Sequence, residues 1–136
     1  LLVATKTSWL AFVEKFSQVN SINIPRWVHY KQTSLVELRV FSDASEKAYA
    51  GVIYIRIKDS NGEIKVNLLS SKTRVAPIKC VSLPRLELCG AVLASDLLKP
   101  IVSEIDIPIH KIYCWTDSTI VLAWLRKTPT SWTTFV

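Results

Sequence analysis

The feature that most restricts the fold is a change of hydrophobic period near residue 37. Residues 37–43, Glu-Leu-Arg-Val-Phe-Ser-Asp, alternate with period two and end on a carboxylate, as a strand with one buried face does. Residues 44–47 supply a short turn, and residues 49–57, rich in Val, Ile and Tyr, predict a second strand. Asp59-Ser60-Asn61-Gly62 is a hairpin signal, because Asn-Gly accepts the positive φ angles of a type I′ turn. Ile64, Val66 and Leu68 then alternate with Lys65 and Asn67 in a third, returning strand. Strands joined by turns this tight must run antiparallel.

On either side the period becomes helical. Trp9, Phe12, Val13, Phe16 and Val19, with Glu14, Lys15 and Gln18 between them, predict an amphipathic helix over residues 7–20, capped by Thr7 or Ser8. Pro25 bars its continuation, and the segment is expected to be a connector packed on a neighbour. Downstream, Ser82 is the N-cap of a second helix with Pro84 in its tolerant first turn. Leu86, Gly90, Leu93 and Leu97 share one face of it, and Pro100 lies near its end. Residues 111–115 form a short apolar strand that ends at Thr116-Asp117-Ser118. Ile120, Val121, Trp124 and Leu125 give a short helix that Pro129 breaks, and residues 132–136 begin a further strand. The order three strands, helix, strand, helix describes an α/β fold with a mixed sheet. A strand reached over a helical crossover lies parallel to its neighbour.

A length of 136 residues suits one domain, and 49% hydrophobic residues exclude disorder. No apolar run reaches the 18 or so residues of a membrane span, and no signal peptide pattern opens the chain. A soluble, intracellular domain with no membrane partner is expected. The chain starts at Leu1, contains no Met, and ends at Phe135-Val136 without a polar tail, which predicts a piece of a longer product. Cys80, Cys89 and Cys114 are odd in number, show no C-x-x-C spacing and sit in apolar runs, so buried reduced thiols are expected in preference to a zinc site. The net charge of +6 and pI near 9.4 suit an anionic partner such as nucleic acid.

The chemistry is carried by three acidic residues. Asp43 and Asp117 stand at the C-terminal ends of predicted strands, and adjacent parallel strands would deliver both to the sheet edge where open α/β folds bind ligands. Glu87 lies one turn into the second helix, and the small Gly90 and Ala91 would let that helix approach the sheet and bring Glu87 toward the aspartates. Three converging carboxylates repel one another, divalent cations relieve the repulsion, and all-oxygen ligands favour Mg²⁺ or Mn²⁺. Two such ions about 3.5–4 Å apart activate water and stabilise the leaving oxygen of a phosphodiester. Each residue also has a plainer role open to it: Asp43 capping a turn, Asp117 capping the next helix, and Glu87 complementing a helix dipole in the first turn.

Phe41-Ser42-Asp43-Ala44-Ser45, Leu83-Pro84-Arg85-Leu86-Glu87-Leu88 and Trp115-Thr116-Asp117-Ser118 resemble, in order and in placement, the three successive carboxylate motifs of ribonuclease H. The fuller string is similar to the BEL/Pao retrotransposon polyproteins. It runs from Ile24-Pro25-Arg26-Trp27 through Lys72-Thr73-Arg74-Val75-Ala76-Pro77 to residues 116–125. The resemblance implies a ribonuclease H-like domain over residues 35–136, incomplete at its C-terminus. The family's last strand, and the later helix bearing a further acidic residue, would be missing. Residues 1–34 would then be a helical connector from a preceding reverse transcriptase region. It further implies a nuclease that cuts the RNA strand of RNA–DNA hybrids during reverse transcription. Asp43, Glu87 and Asp117 would be its catalytic and metal-binding residues, and two Mg²⁺ or Mn²⁺ ions its cofactors. The partners implied are the hybrid and the reverse transcriptase region of the same polyprotein, in a cytoplasmic virus-like particle.

Two other functions compete. A catalytically inactive remnant or structural module is compatible with a shortened fold. An aspartic peptidase is expected to present Asp-Thr/Ser-Gly, whereas Asp43 precedes Ala44-Ser45 and Asp117 precedes Ser118-Thr119.

Overall fold

A computed structural model describes residues 2–131. Within them, regular elements follow in the order α1 (Leu2–Phe16), β1 (Leu35–Ala44), β2 (Ala48–Lys58), β3 (Ile64–Val75), α2 (Leu83–Glu104), β4 (Lys111–Thr116) and α3 (Thr119–Arg126). Short 3-10 turns occupy Ser17–Ser21 and Pro129–Ser131. The further strand expected over residues 132–136 lies outside the described residues.

The strands form one mixed sheet in the order β3-β2-β1-β4. β1 pairs antiparallel with β2 and parallel with β4, while β2 pairs antiparallel with β3. This is the sheet expected from the order of elements, with the parallel pair produced by the α2 crossover. On one face Val36, Leu38 and Val40 of β1 stand beside Ile57, Ile55 and Ile53 of β2, and all six are buried under α2. Helix α2 meets them with Leu86, Gly90, Leu93 and Ala94, a stripe at helical spacing. Gly51 lets the helix lie close: a Cβ there would stand 2.9 Å from both Cα and Cβ of Ala94. Among the described residues no helix packs on the other face. That face carries Arg39, Phe41, Tyr54, Tyr113 and Trp115, with Ile64 and Val66 exposed.

Several local expectations need correction. The first helix starts at Leu2, so Thr7 is interior and its hydroxyl donates to the Val3 carbonyl instead of capping. Its apolar stripe is exposed, and among the described residues it packs chiefly on the 3-10 turn that follows. The hairpin is not type I′, since only Gly62 of its loop has a positive φ. The Asp59 carboxylate instead accepts from the Asn61 and Glu63 N–H groups, and the Gly62 N–H donates to the Asp59 carbonyl. This is a tight turn closed by a left-handed glycine. β3 runs to Val75, well beyond Leu68, because it pairs along the whole of β2. α2 passes through Pro100 to Glu104, where the Ile105 N–H still bonds to the Ile101 carbonyl. The thiols are not buried: Cys80 lies exposed in a loop, Cys114 is exposed on the edge strand, and Cys89 is half-buried.

His110, for which the sequence alone suggests no role, anchors the start of the β1–β4 pairing. Its Nδ1 accepts from the Val36 N–H at 3.1 Å, while its backbone N–H donates to the Val36 carbonyl. No helix of the described residues is long and apolar enough to cross a membrane.

Candidate functional site

The last residue pair of the parallel ladder is Ser42 with Thr116. Asp43 and Asp117 are therefore the next residues on two neighbouring chains, which lie about 4.8 Å apart in a sheet. One pair earlier, the rings of Phe41 and Trp115 stack with centroids 4.9 Å apart and planes inclined by 14°. An apolar strand context alone would suggest a core position for Trp115. The side chain is instead exposed, and it binds the β1–β4 seam just before the two carboxylates.

The third acidic residue arrives on α2. A Cβ on Gly90 would come within 3.1 Å of the Asp43 carbonyl oxygen, so only glycine lets the helix rest on this strand end without displacing it. Glu87 stands three residues earlier on the same side of the helix and is half-buried, whereas Asp43 and Asp117 are exposed. Fold and backbone thus bring the three positions to one sheet edge. The side chains are not drawn into a cluster: among the described residues no group of three or more His, Cys, Asp or Glu side chains is placed to hold a metal ion. Carboxylates brought close together repel one another. In addition, the Asp43 carboxylate is turned onto its own strand, where Oδ1 accepts from the Ala44 N–H at 2.7 Å.

The plainer roles fare unequally. Helix α3 is capped by Ser118, whose Oγ accepts from the Val121 N–H at 3.2 Å. That leaves the Asp117 carboxylate without a capping duty. Glu87 is the fifth residue of α2, beyond the first turn where a dipole role would place it. For Asp43 the local bond to Ala44 is real, but the turn itself is built by Ser45, whose hydroxyl accepts from the Lys47 and Ala48 N–H groups. The sequence offers Asp117 and Ser118 as candidate caps, and Ser118 is the one that fills the role.

Among the described residues no ion pair involves Asp43, Glu87 or Asp117. All three side chains are oxygen donors, the ligand type a hard divalent ion takes, although in this structure they do not stand together as a donor set. The strongest ion pairing lies lower on the open sheet face. Glu37 bridges Arg39 and Arg56, with Arg56 Nη1 at 3.1 Å. The Arg39 hydrogen bond, helped by the charges of both arginines, holds the Glu37 carboxyl below its ordinary range. Arg39 lies 4.3 Å over the Tyr113 ring centroid, while its Nε has no hydrogen-bond partner.

A family described as Pao retrotransposon-like RNaseH-like domain matches residues 2–118, which include all three acidic motifs. No curated protein and no solved structure matches the chain.

Proposed function

The chain belongs to the Pao retrotransposon-like RNaseH-like domain family, and from that we propose that it is a metal-dependent endonuclease acting on the RNA strand of RNA–DNA hybrids. The observation that carries this reading is the delivery of Asp43, Asp117 and the Glu87 helix to one sheet edge, by a parallel strand pair and a glycine contact. Asp43, Glu87 and Asp117 would hold Mg²⁺ or Mn²⁺. When bound, a pair of such ions lowers the pKa of an attacking water and neutralises charge on the leaving oxygen. The protein's own contribution is to hold the three carboxylates on rigid elements, with Phe41 and Trp115 fixing the seam and Ser118 releasing Asp117 from capping. The proposal extends to a retroelement polyprotein in which a reverse transcriptase region precedes this domain, and to a cytoplasmic particle as the site of action.

The test is Mn²⁺ titration by calorimetry together with hybrid cleavage, on the wild type and on Asp43→Asn and Asp117→Asn. Each substitution is expected to lower Mn²⁺ affinity at least tenfold and to abolish cleavage. Equal affinity and activity in the variants would reject these ligands. The separation of the three side chains favours a second reading, a ribonuclease H-like fold without hydrolytic activity. A wild type that neither binds Mn²⁺ nor cuts hybrid would establish that reading.

A further inference from the structure

The edge strand β3 contains an irregularity with a directional effect. Ile53 of β2 pairs with Ser70, but the next residue, Tyr54, pairs with Leu68, so Leu69 is an extra residue in β3. Side chains alternate along a strand, and one inserted residue reverses the alternation beyond it. Before the bulge Val66 and Leu68 stand beside Arg56 and Tyr54 on the open face. After it Lys72 stands beside Gly51 and Arg74 beside Tyr49, on the face that α2 covers. Without the bulge both cations would point to the opposite side of the sheet.

Their surroundings are equally specific. Arg74 and Tyr49 line a groove of about 260 Å³ whose far wall is α2, including Leu88 and Asp96. Both Lys72 and Arg74 are exposed, and neither has a salt bridge among the described residues. Asp96 is the acidic group they face, but it is held by Lys99 at 2.9 Å. The register also fixes where this ledge lies. Asp43 pairs with Ala50 and Ala50 with Thr73, so Lys72 and Arg74 flank the level of Asp43 two strands away, on the face of the sheet that carries α2 and with it Glu87. Two strand spacings are about 10 Å, roughly three nucleotide rises along the axis of a nucleic-acid helix.

We infer that Lys72 and Arg74 form a phosphate-binding ledge that holds the backbone of a nucleic-acid strand on the β3 side of the carboxylate edge. The Leu69 bulge aims them there. This inference rests on the nuclease reading for its choice of ligand, but it concerns binding and not chemistry.

The experiment measures hybrid binding by fluorescence anisotropy in metal-free buffer over a range of salt, using the whole 136-residue chain. Lys72→Gln/Arg74→Gln should bind several-fold more weakly than wild type at moderate salt. Its slope of log K against log salt should be shallower by about one for each phosphate no longer neutralised. Lys58→Gln, at the other end of β2, should leave both quantities unchanged, and all three proteins should melt alike. Wild-type affinity and slope in the double variant would overturn the ledge, as would a wild type that does not bind hybrid. So would equally tight, equally ledge-dependent binding of a polyglutamate peptide. If the double variant binds more weakly as expected while Asp43→Asn changes neither Mn²⁺ affinity nor cleavage, the ledge stands and the nuclease assignment falls.

Discussion

At the scale of single residues, the sheet's open face is organised by one carboxylate. Glu37 accepts from Arg39 and Arg56, and its side chain is 18% exposed, so solvent screens the pair only in part. Its pKa is lowered in the folded state, chiefly by the Arg39 hydrogen bond. The unfolded chain therefore takes up a proton at higher pH than the folded one. The resulting stabilisation is present above the ordinary glutamate pKa and is lost as pH falls through the lowered, folded value. Replacing Glu37 by Gln should cost about 1 kcal/mol at neutral pH, near the upper end for a partly exposed pair. Urea unfolding at neutral pH and at pH about 3 checks this: the gap between wild type and variant should narrow in acid. A gap that does not depend on pH would show that packing of the glutamate, and not its charge, is what matters. None of this is legible in the sequence, where Glu37 is one polar position in an alternating strand. Nothing local says that Arg56, nineteen positions later, pairs with it.

At the scale of elements, the strands and helices are readable because period and breakers agree. Val36, Leu38 and Val40 alternate as a strand with one buried face should, and Leu86, Gly90 and Leu93 recur as a packed helix face should. Sequence and structure part where tertiary pairing overrides local signals. β3 continues past Leu68 because β2 offers partners as far as Ala48, although Lys72, Thr73 and Arg74 are not an apolar pattern. The bulge is invisible in the sequence for the same reason, since only pairing with Ile53 and Tyr54 reveals the extra residue. The carboxylate motifs are legible as motifs, and their convergence depends on a helix–strand contact that small residues merely suggest. That contact yields a sharp expectation. Gly90→Ala adds a methyl group 3.1 Å from the Asp43 carbonyl oxygen, so α2 or the strand end must give by a few tenths of an ångström. Alanine favours helix by about 1 kcal/mol over glycine, so the net change in melting temperature should be small. If Glu87 holds the proposed ion, even that shift should lower Mn²⁺ affinity measurably, because Glu87 moves with the helix. Undiminished affinity in a folded Gly90→Ala protein would show that Glu87 does not depend on this approach.

At the scale of the whole molecule, the two kinds of strand pairing differ in how far along the chain they reach. β1, β2 and β3 are joined by short turns and form a local meander. β4 joins β1 only after α2 has crossed over, and the bond from Val36 to His110 spans 74 residues. Among the described residues β4 is also an edge strand, and its Ile112, Cys114 and Trp115 are exposed there. Native-state hydrogen exchange should therefore find the β4 amides opening before those shared by β1 and β2. Equal protection throughout the sheet would contradict this. The parallel seam has a further consequence in time. Closing a long loop costs chain entropy before any contact compensates it, so non-local pairing tends to form late. The meander can form while Asp117 is still far from Asp43, and the acidic edge comes together with the last long-range pairing. On the proposed nuclease reading, a nascent or partly folded chain would hold its scissors open, and cutting power would arrive only with completion of the fold.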